Sequence, residues 1–183
     1  MIIGLTGANA SGKGEAAEYL KSKGFEYYSL SDILREEAIS RGIELSRENL
    51  IKLGNELREK NRPAVLADLT VKKIKDKNNY VIDSIRNPFE IKALRKLNKF
   101  TLIGIDAPVK MRFRRAVARN RQGDPETLEE FIEKERRENI NNSTNQQLEN
   151  CLKAADKVII NDSTIEEFHK KIDLIIERYC EDA

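Results

Sequence analysis

The feature that most constrains this chain is a glycine-rich loop between an apolar run and a helix-forming segment near the amino terminus. The three stretches are residues 2–6 (IIGLT), 7–14 (GANASGKG) and 15–20 (EAAEYL). Gly7 and Gly12 are the first and sixth residues of the loop and Lys13 follows directly, which is the G-x-x-x-x-G-K spacing of a phosphate-binding loop. A strand, this loop and a helix in that order predict a site for the phosphates of a nucleotide.

The residue types of this loop suit phosphate chemistry. Glycines let backbone N–H groups turn inward around phosphate oxygens, because a side chain would block the approach. The next helix points its positive end at the same anion, and Lys13 reaches the outer phosphates as a catalytic point charge. We therefore predict nucleotide contacts along the whole loop, at Gly7, Ala8, Asn9, Ala10, Ser11, Gly12, Lys13, Gly14 and Glu15. The alternative is a plain turn that caps the helix.

The residue after the lysine departs from the usual pattern. A Ser or Thr hydroxyl commonly binds Mg²⁺ there, whereas this chain has Gly14 followed by Glu15. Asp83 closes a short apolar strand, residues 80–82, where P-loop proteins commonly place a second carboxylate on the magnesium side. We expect Asp83, with Glu15 as a second candidate, to hold Mg²⁺ mainly through water. The alternative for Asp83 is a cap or turn before the helix at Pro88.

Strand and helix signals alternate along the chain. Strands are predicted at residues 2–6, 25–30, 80–82, 100–105 and 157–160, and helices at 15–23, 32–41, 47–60, 63–77, from 88, at 110–121, 126–138 and 148–155, and from 164. The strands are continuous apolar runs rather than alternating polar and apolar residues. This pattern favours an α/β fold with a parallel sheet covered on both faces, in which ligands bind at the carboxyl ends of the strands.

Several polar residues fall at those strand ends. Asp32 follows the second strand and is predicted to orient or deprotonate an attacking oxygen, although it also fits an N-cap. Arg35 and Arg86 follow the second and third strands, where arginines opposite the P-loop suit a second anionic substrate. The alternative for both is an exposed ion pair with a neighbouring glutamate. Asn161, after the last strand, is expected beside the nucleotide base, chiefly through its backbone.

Residues 110–121 contain five arginines and no acidic residue. Arg112, Arg115 and Arg119 share one helical face by their spacing. Such a face could close over bound nucleotide as a lid, with Arg119 stabilising charge on the transferring group and Arg115 contacting the nucleotide. A solvated surface and an RNA-binding surface are the alternatives, but Phe113 is the single aromatic residue available for base stacking.

Length and composition narrow the class of protein. The 183 residues fit one domain, in which we expect residues 31–77 to form an acceptor-binding helical insert and residues 110–145 the lid. The net charge of +2 does not favour a nucleic-acid partner, and no apolar run reaches the length of a membrane span or resembles a signal peptide. We therefore expect a cytoplasmic protein. Cys151 and Cys180 match no metal-site spacing, and His169 is expected at the solvated surface.

These motifs resemble the P-loop kinases that include nucleoside monophosphate kinases and dephospho-CoA kinase. Residues 3–13 and 155–162 resemble dephospho-CoA kinase, and residues 12–14, 31–35, Asp83 and Arg86 resemble adenylate kinases. Over almost the whole chain, residues 83–88 and 121–124 included, the sequence is similar to dephospho-CoA-kinase-like proteins. The resemblance implies a P-loop three-layer sandwich with a five-stranded parallel sheet, ATP on residues 7–14, an acceptor at Asp32, Arg35 and Arg86, and a helical lid.

The sequence departs from both kinases in ways that bear on substrate and metal. Adenylate kinases have Thr where this chain has Glu15, and the acceptor-side aspartate and His-Pro signatures of dephospho-CoA kinase are absent. We predict a kinase that uses ATP, or GTP, with Mg²⁺ to phosphorylate a small phosphorylated, nucleotide-like acceptor. The rival hypothesis is a nucleotide-binding switch or accessory ATPase without an acceptor. The identity of the acceptor and the oligomeric state stay open.

Overall fold

A computed structural model describes residues 1–75, 78–120, 125–138 and 145–181, with side chains up to residue 178. The strands are β1 Ile2–Thr6, β2 Glu26–Ser29, β3 Tyr80–Ile85, β4 Phe100–Asp106 and β5 Lys157–Ile160. The helices are α1 Lys13–Ser22, α2 Leu30–Ser40, α3 Arg47–Lys60, α4 Val65–Val71, α5 Pro88–Leu94, α6 Val109–Arg119, α7 Leu128–Glu138, α8 Leu148–Lys153 and α9 Ile165–Glu181. The predicted roles of Arg121 and of residues 122–124 and 139–144 lie outside the described residues.

The five strands form one parallel sheet in the order β2-β3-β1-β4-β5. β1 lies at its centre, hydrogen-bonded to β3 on one side and to β4 on the other. The glycine loop that follows β1 therefore opens above the middle of the carboxyl edge. This arrangement confirms the predicted α/β class and the five-stranded parallel sheet.

Two apolar cores cover the two faces of the sheet. The odd and even residues of the central strands divide between them: Ile2, Ile82 and Leu102 pack with α2 to α5 and α8, whereas Ile3, Val81 and Ile103 pack with α1 and α9. Side chains of successive strand residues point to opposite faces, so a strand buried on both sides must be apolar throughout. The continuous apolar runs in the sequence thus explain the three layers.

The segments around β3 differ from the sequence-based prediction. β3 continues to Ile85, because its register against β1 shifts after Gly4 and the Thr6 hydroxyl donates to the Ile85 carbonyl oxygen at 2.8 Å. α4 is shorter than the predicted helix at 63–77. The Lys75 N–H donates to the Tyr80 hydroxyl, and that hydroxyl donates to the Lys75 carbonyl oxygen. These two bonds turn the chain back into β3.

The helix boundaries position the polar residues at the carboxyl edge. α2 begins directly after β2, with the Ser29 hydroxyl accepting from the Ser31 N–H. α3 begins after Ser46, the predicted N-cap, whose hydroxyl accepts from the Asn49 N–H.

Within the described part of the chain, no helix is both long and apolar enough to span a bilayer.

Candidate functional site

The backbone of the glycine loop requires glycine at its first and sixth residues. Gly7 has φ 145° and Gly12 has φ 113°, a region that L side chains rarely adopt. A Cβ atom on Gly7 would lie 2.0 Å from the carbonyl oxygen of Ile105 in β4, and one on Gly12 would lie 2.2 Å from Nδ2 of Asn161. Gly12 caps α1 with no side chain hydrogen-bonded to the helix. The loop therefore packs closely against β4. The first N–H groups of α1 receive no hydrogen bond from a side chain of the cap residue, so they are available to bind an anion.

Lys13 lies inside this loop. Its Nζ donates to the carbonyl oxygens of Gly7 at 2.8 Å and of Ala8 at 2.7 Å. Burial lowers the pKa of the ammonium group to about 8; Asp83 opposes the change, while Arg86 and Arg119 add to it. A positive charge buried among arginines favours a phosphate, which would offset both the lost hydration and the repulsion between cations.

Two side chains from other elements bind the loop from the side of β5. The Asn161 Nδ2 donates to the Ser11 carbonyl oxygen at 2.9 Å, and the Arg115 Nη1 donates to the same oxygen at 3.5 Å. The Arg115 Nη2 also donates to the Asn161 carbonyl oxygen at 3.1 Å. Arg119 Nη2 donates to Asn9 Oδ1 at 3.0 Å. The structure thus brings together the loop, the end of β5 and two of the arginines singled out in the sequence.

The third arginine of that helical face has other partners. Arg112 is buried; its Nε donates to the Ala107 carbonyl oxygen at 2.9 Å, its Nη1 pairs with Glu135 and its guanidinium lies over the ring of Phe131. Arg112 therefore joins α6 to α7, while Arg115 and Arg119 contact the loop. The shared face predicted from the spacing exists, but its members have different partners.

Asp83 is buried at the carboxyl edge of β3. Its Oδ1 accepts from the Ser84 N–H at 2.6 Å and its Oδ2 from the Tyr27 hydroxyl at 3.4 Å. Burial, and then the charge of Asp83, raise the pKa of Tyr27 to about 12, so this hydroxyl keeps its proton near neutral pH. Oδ2 has one long hydrogen bond, and the charge of Asp83 acts to raise the pKa of Lys13. These features fit a carboxylate that holds Mg²⁺ through water.

Glu15 turns toward the carboxyl-terminal helix. Its Oε1 lies 2.8 Å from Nε2 of His169 in α9, and the imidazole stacks on the ring of Tyr19 with centroids 3.8 Å apart. His169 is thus packed between two side chains of α1 rather than fully solvated. Any contribution of the Glu15 carboxylate to magnesium binding stays a prediction. Among the described residues, no group of three or more His, Cys, Asp or Glu side chains could hold a metal ion.

A cavity of about 310 Å³ extends from the glycine loop toward α2 and α3. Its polar lining includes Asn9, Lys13, Ser31, Arg35, Arg47, Arg58, Ser84, Arg86, Arg119, Glu138 and Gln146, and its apolar lining is Leu30, Leu34, Leu45, Leu50, Ile51 and Leu148. The volume is at the small end of the range for small-molecule sites. Residues of the glycine loop and two of the three predicted acceptor residues, Arg35 and Arg86, therefore share one cavity.

Arg86 is a half-buried cation in the lining of this cavity. Its Nη1 donates to Gln146 Oε1 at 3.3 Å, and its backbone N–H donates to Glu90 Oε2 at 2.9 Å. Burial and, next, the charge of Arg47 lower its pKa, while Glu138 acts in the opposite direction. A guanidinium group whose pKa is lowered by burial and by a neighbouring cation favours an anionic ligand beside it.

Asp32 and Arg35 lie at the outer margin of the site. Arg35 lines the cavity, whereas Asp32 does not, and the two form an ion pair at 2.5 Å with nearly half of each side chain exposed. Arg35 thus has an exposed ion pair, although with Asp32 rather than with a neighbouring glutamate, and its role in binding the acceptor stays a prediction. The catalytic role of Asp32 stays a prediction.

Arg47 and Glu138 are two of the cavity residues that sequence reasoning missed. Arg47 and Glu138 form a largely buried ion pair at 2.6 Å between the start of α3 and the end of α7. Arg47 follows the N-cap Ser46, and Glu138 ends a helix with many acidic residues, so each reads locally as an ordinary helix-end residue. No local signal indicates that residues 91 positions apart meet at the site.

Comparisons with known proteins agree with this geometry. Residues 6–133 match the model of a family described as AAA domain. A UPF0200 protein of Pyrococcus horikoshii is 35% identical over 185 residues, covering 97% of each chain. The solved structure of TT1252 from Thermus thermophilus has 25% identity and a TM-score of 0.62 over 97% of each chain. The shikimate kinase of Aquifex aeolicus has the same fold, with 19% identity and a TM-score of 0.59 over 100% of each chain. The narrower resemblance to dephospho-CoA-kinase-like proteins stays a prediction.

Proposed function

The chain belongs to the UPF0200 family and folds as a P-loop kinase-like domain, and from this premise we propose that it is an ATP-dependent phosphotransferase whose acceptor is small, phosphorylated and nucleotide-like. The observation that carries the proposal is the shared cavity, in which Lys13 of the glycine loop and Arg86 of the β3–α5 turn line the same space. Phosphoryl transfer depends mainly on positioning and charge neutralisation, and this cavity offers cations for both substrates.

The donor nucleotide, ATP or else GTP, binds along residues 7–15. Backbone N–H groups of the loop and of the first turn of α1 bind its phosphates, and Lys13 neutralises the outermost one. Arg115 and Asn161 close the side of the loop near β5, where the base would lie. Magnesium, held through water by Asp83, would neutralise phosphate charge and orient the transferred group.

The acceptor binds beside α2 and α3, within the insert of residues 31–77. Arg86 binds its anionic group from within the cavity, Arg35 binds from the margin, and Asp32 orients or deprotonates the attacking oxygen. Residues 110–145 act as the lid. Arg119 donates to Asn9 of the loop and also lines the cavity, so it can stabilise charge on the transferring phosphoryl group.

The rival is a nucleotide-binding switch or accessory ATPase that transfers phosphate to water or not at all. Such a protein needs Lys13 but has no use for an arginine such as Arg86 outside the phosphate loop. The two proposals therefore differ in what an arginine substitution does. Arg86→Met and Arg119→Met should leave the Kd for nucleotide within a few-fold of wild type and lower transfer by at least about a hundredfold.

The test is a coupled phosphoryl-transfer assay with ATP and Mg²⁺ against nucleoside monophosphates and dephospho-CoA. Lys13→Ala is the inactive control, and Lys21→Ala, an exposed lysine of α1 paired with Glu18, is its matched partner. Turnover on one acceptor that is lost in Lys13→Ala and kept in Lys21→Ala supports the kinase. Tight nucleotide binding with no transfer to any acceptor favours the switch.

A further inference from the structure

Ser84 lies in a β-bulge near the carboxyl end of β3. Gly4 of β1 pairs with Ile82 of β3, and two residues later Thr6 pairs with Ile85, which is three residues further along β3. β3 therefore contains one residue more than β1 in this stretch. The Thr6 hydroxyl donates to the Ile85 carbonyl oxygen at 2.8 Å and so fixes the end of the bulge. Bulges change the direction of a side chain, and they are frequent beside active sites.

The backbone of Ser84 adopts a left-handed conformation with φ 65°. Glycine adopts this region freely, whereas a residue with a Cβ atom is strained in it. The Ser84 N–H donates to Asp83 Oδ1 at 2.6 Å, and this bond holds the residue in place. Strained residues that are not glycine cluster at ligand sites, so the conformation favours a role for the serine side chain.

The Ser84 hydroxyl is available to a ligand. It makes no hydrogen bond to the residues that the structure describes, and it is not one of their buried polar atoms without a partner. The residue is partly exposed, and it lines the cavity together with Lys13 and Arg86. In a space lined by cations, a hydroxyl that rotates freely can donate to an anionic oxygen.

Arg86 is the cation that is nearest to Ser84 along the chain. The Cα atoms of residues two positions apart lie at most about 7 Å from each other, so the Ser84 hydroxyl and the Arg86 guanidinium can reach one small anion. Arg86 already donates from Nη1 to Gln146 Oε1 at 3.3 Å. An anion with several oxygens therefore gains from a second donor beside this guanidinium.

We propose that Ser84 is a further acceptor-binding residue, whose hydroxyl donates to an oxygen of the anionic group that Arg86 binds. This inference rests on the proposed function, in which an anionic acceptor lies beside Arg86. The bulge directs the hydroxyl into the cavity, and the left-handed backbone is the consequence of that placement. Glycine at this position would relieve the strain but would leave the acceptor with one donor fewer.

The test measures the affinity for both substrates. Nucleoside monophosphates are titrated by calorimetry while a non-hydrolysable ATP analogue fills the glycine loop, and the analogue is also titrated alone. In Ser84→Ala the Kd of the monophosphate that wild type binds most tightly should rise about ten- to a hundredfold, the range for a hydrogen bond to a charged group. The Kd of the analogue should stay within a factor of about three, because the loop is intact.

Ser84→Gly separates recognition from folding. Glycine relieves the strained φ and removes the hydroxyl, so the midpoint of thermal unfolding should not fall while the affinity for the monophosphate decreases as in Ser84→Ala. Lys99→Gly is the matched control. Lys99 is exposed before β4, at the amino edge of the sheet, and has φ 57°. Glycine there relieves the same kind of strain and should leave both affinities unchanged.

The outcomes separate this inference from the kinase proposal. Unchanged monophosphate affinity in both Ser84 variants, or no binding of any monophosphate to wild type, overturns the role of Ser84. A loss of affinity for the analogue alone would assign the hydroxyl to the donor nucleotide and also contradict the proposal. Binding that depends on the hydroxyl, without transfer from ATP, supports the role of Ser84 and contradicts the kinase. Transfer with equal kcat and KM in wild type and Ser84→Ala supports the kinase and overturns the role of Ser84.

Discussion

The lysine of the phosphate loop makes nucleotide binding depend on pH. The pKa of Lys13 is lowered to about 8, so in the free protein the amine loses its proton as the pH rises through 8. Phosphate stabilises the charged form and raises the pKa in the complex. Binding above pH 8 must therefore take up a proton, and the affinity should fall with rising pH, by up to tenfold per unit.

This prediction is checked by titration calorimetry at pH 7 and pH 9 in buffers of different ionisation enthalpy. Wild type should take up about 0.9 proton more at pH 9 than Lys13→Arg, whose guanidinium stays charged. An equal uptake in both proteins would show that Lys13 is fully protonated in the free state.

Gly7 and Gly14 of the glycine loop differ in the space that is available for an added methyl group. In Gly7→Ala the Cβ would lie 2.0 Å from the Ile105 carbonyl oxygen, at a strained φ, so the free energy of unfolding should fall by about 1–3 kcal/mol or more and nucleotide binding should be lost. In Gly14→Ala nothing lies within 4 Å, and the helix should gain up to about 1 kcal/mol. Urea unfolding measures both. Equal loss in the two variants would mean that loop and helix respond alike to an added methyl.

A buried ion pair connects the cavity wall to the turn that carries Arg86. Arg58 in α3 donates from Nη2 to Glu90 Oε1 at 2.8 Å, and both side chains are at most 4% exposed. The other oxygen, Oε2, accepts from the backbone N–H groups of Arg86 and Asn87. Glu90 thus holds together α3, the end of β3 and the capping box of α5.

Arg58→Met should therefore destabilise the protein strongly. It leaves the Glu90 carboxylate buried without its cation, and we expect a loss of about 3–5 kcal/mol in the free energy of unfolding. Arg62→Met, which removes an exposed partner of Asp68, should cost about 1 kcal/mol or less. Urea denaturation compares the two, and the double variant Arg58→Met with Glu90→Gln should recover part of the loss. Similar small losses in both single variants would show that Glu90 finds another partner.

Local patterns in the sequence predicted the elements well, because strands and caps depend on residues close together in the chain. The apolar runs predicted all five strands, Ser46 caps α3 as predicted, and Pro88 begins α5 as predicted, although the cap there is Asn87. Contacts between residues far apart in the chain could not be predicted from local patterns. Arg47 meets Glu138, and Glu15 meets His169, through packing of helices that no local pattern encodes.

The phosphate loop joins parts of the molecule that are far apart in sequence. Thr6 bonds to the end of β3, Gly7 packs on β4, and Ser11 accepts from Asn161 after β5. A nucleotide bound there should stabilise the whole chain against unfolding. At a free nucleotide concentration of a hundred times the Kd, the free energy of unfolding should rise by about 2.7 kcal/mol. For a chain of this length the midpoint of thermal unfolding should rise by about 5–11 °C.

Thermal melts with ATP and with GTP check this prediction and rank the two nucleotides. Lys13→Met should show no rise with either nucleotide, whereas Lys21→Met should behave like wild type. A rise that persists in Lys13→Met would place the nucleotide away from the loop.

The central place of β1 also decides how the protein opens. β1 has partners on both sides, so its amide hydrogens can exchange with solvent only when the sheet itself comes apart. β5 lies at an edge and shows three exposed residues out of four, so it can detach alone. In deuterated water the amides of Ile3 to Leu5 should be the slowest to exchange, and those of β5 much faster. The strand that carries the phosphate loop is thus the last to open. The part of the site near β5 should therefore open before the glycine loop and β1 do.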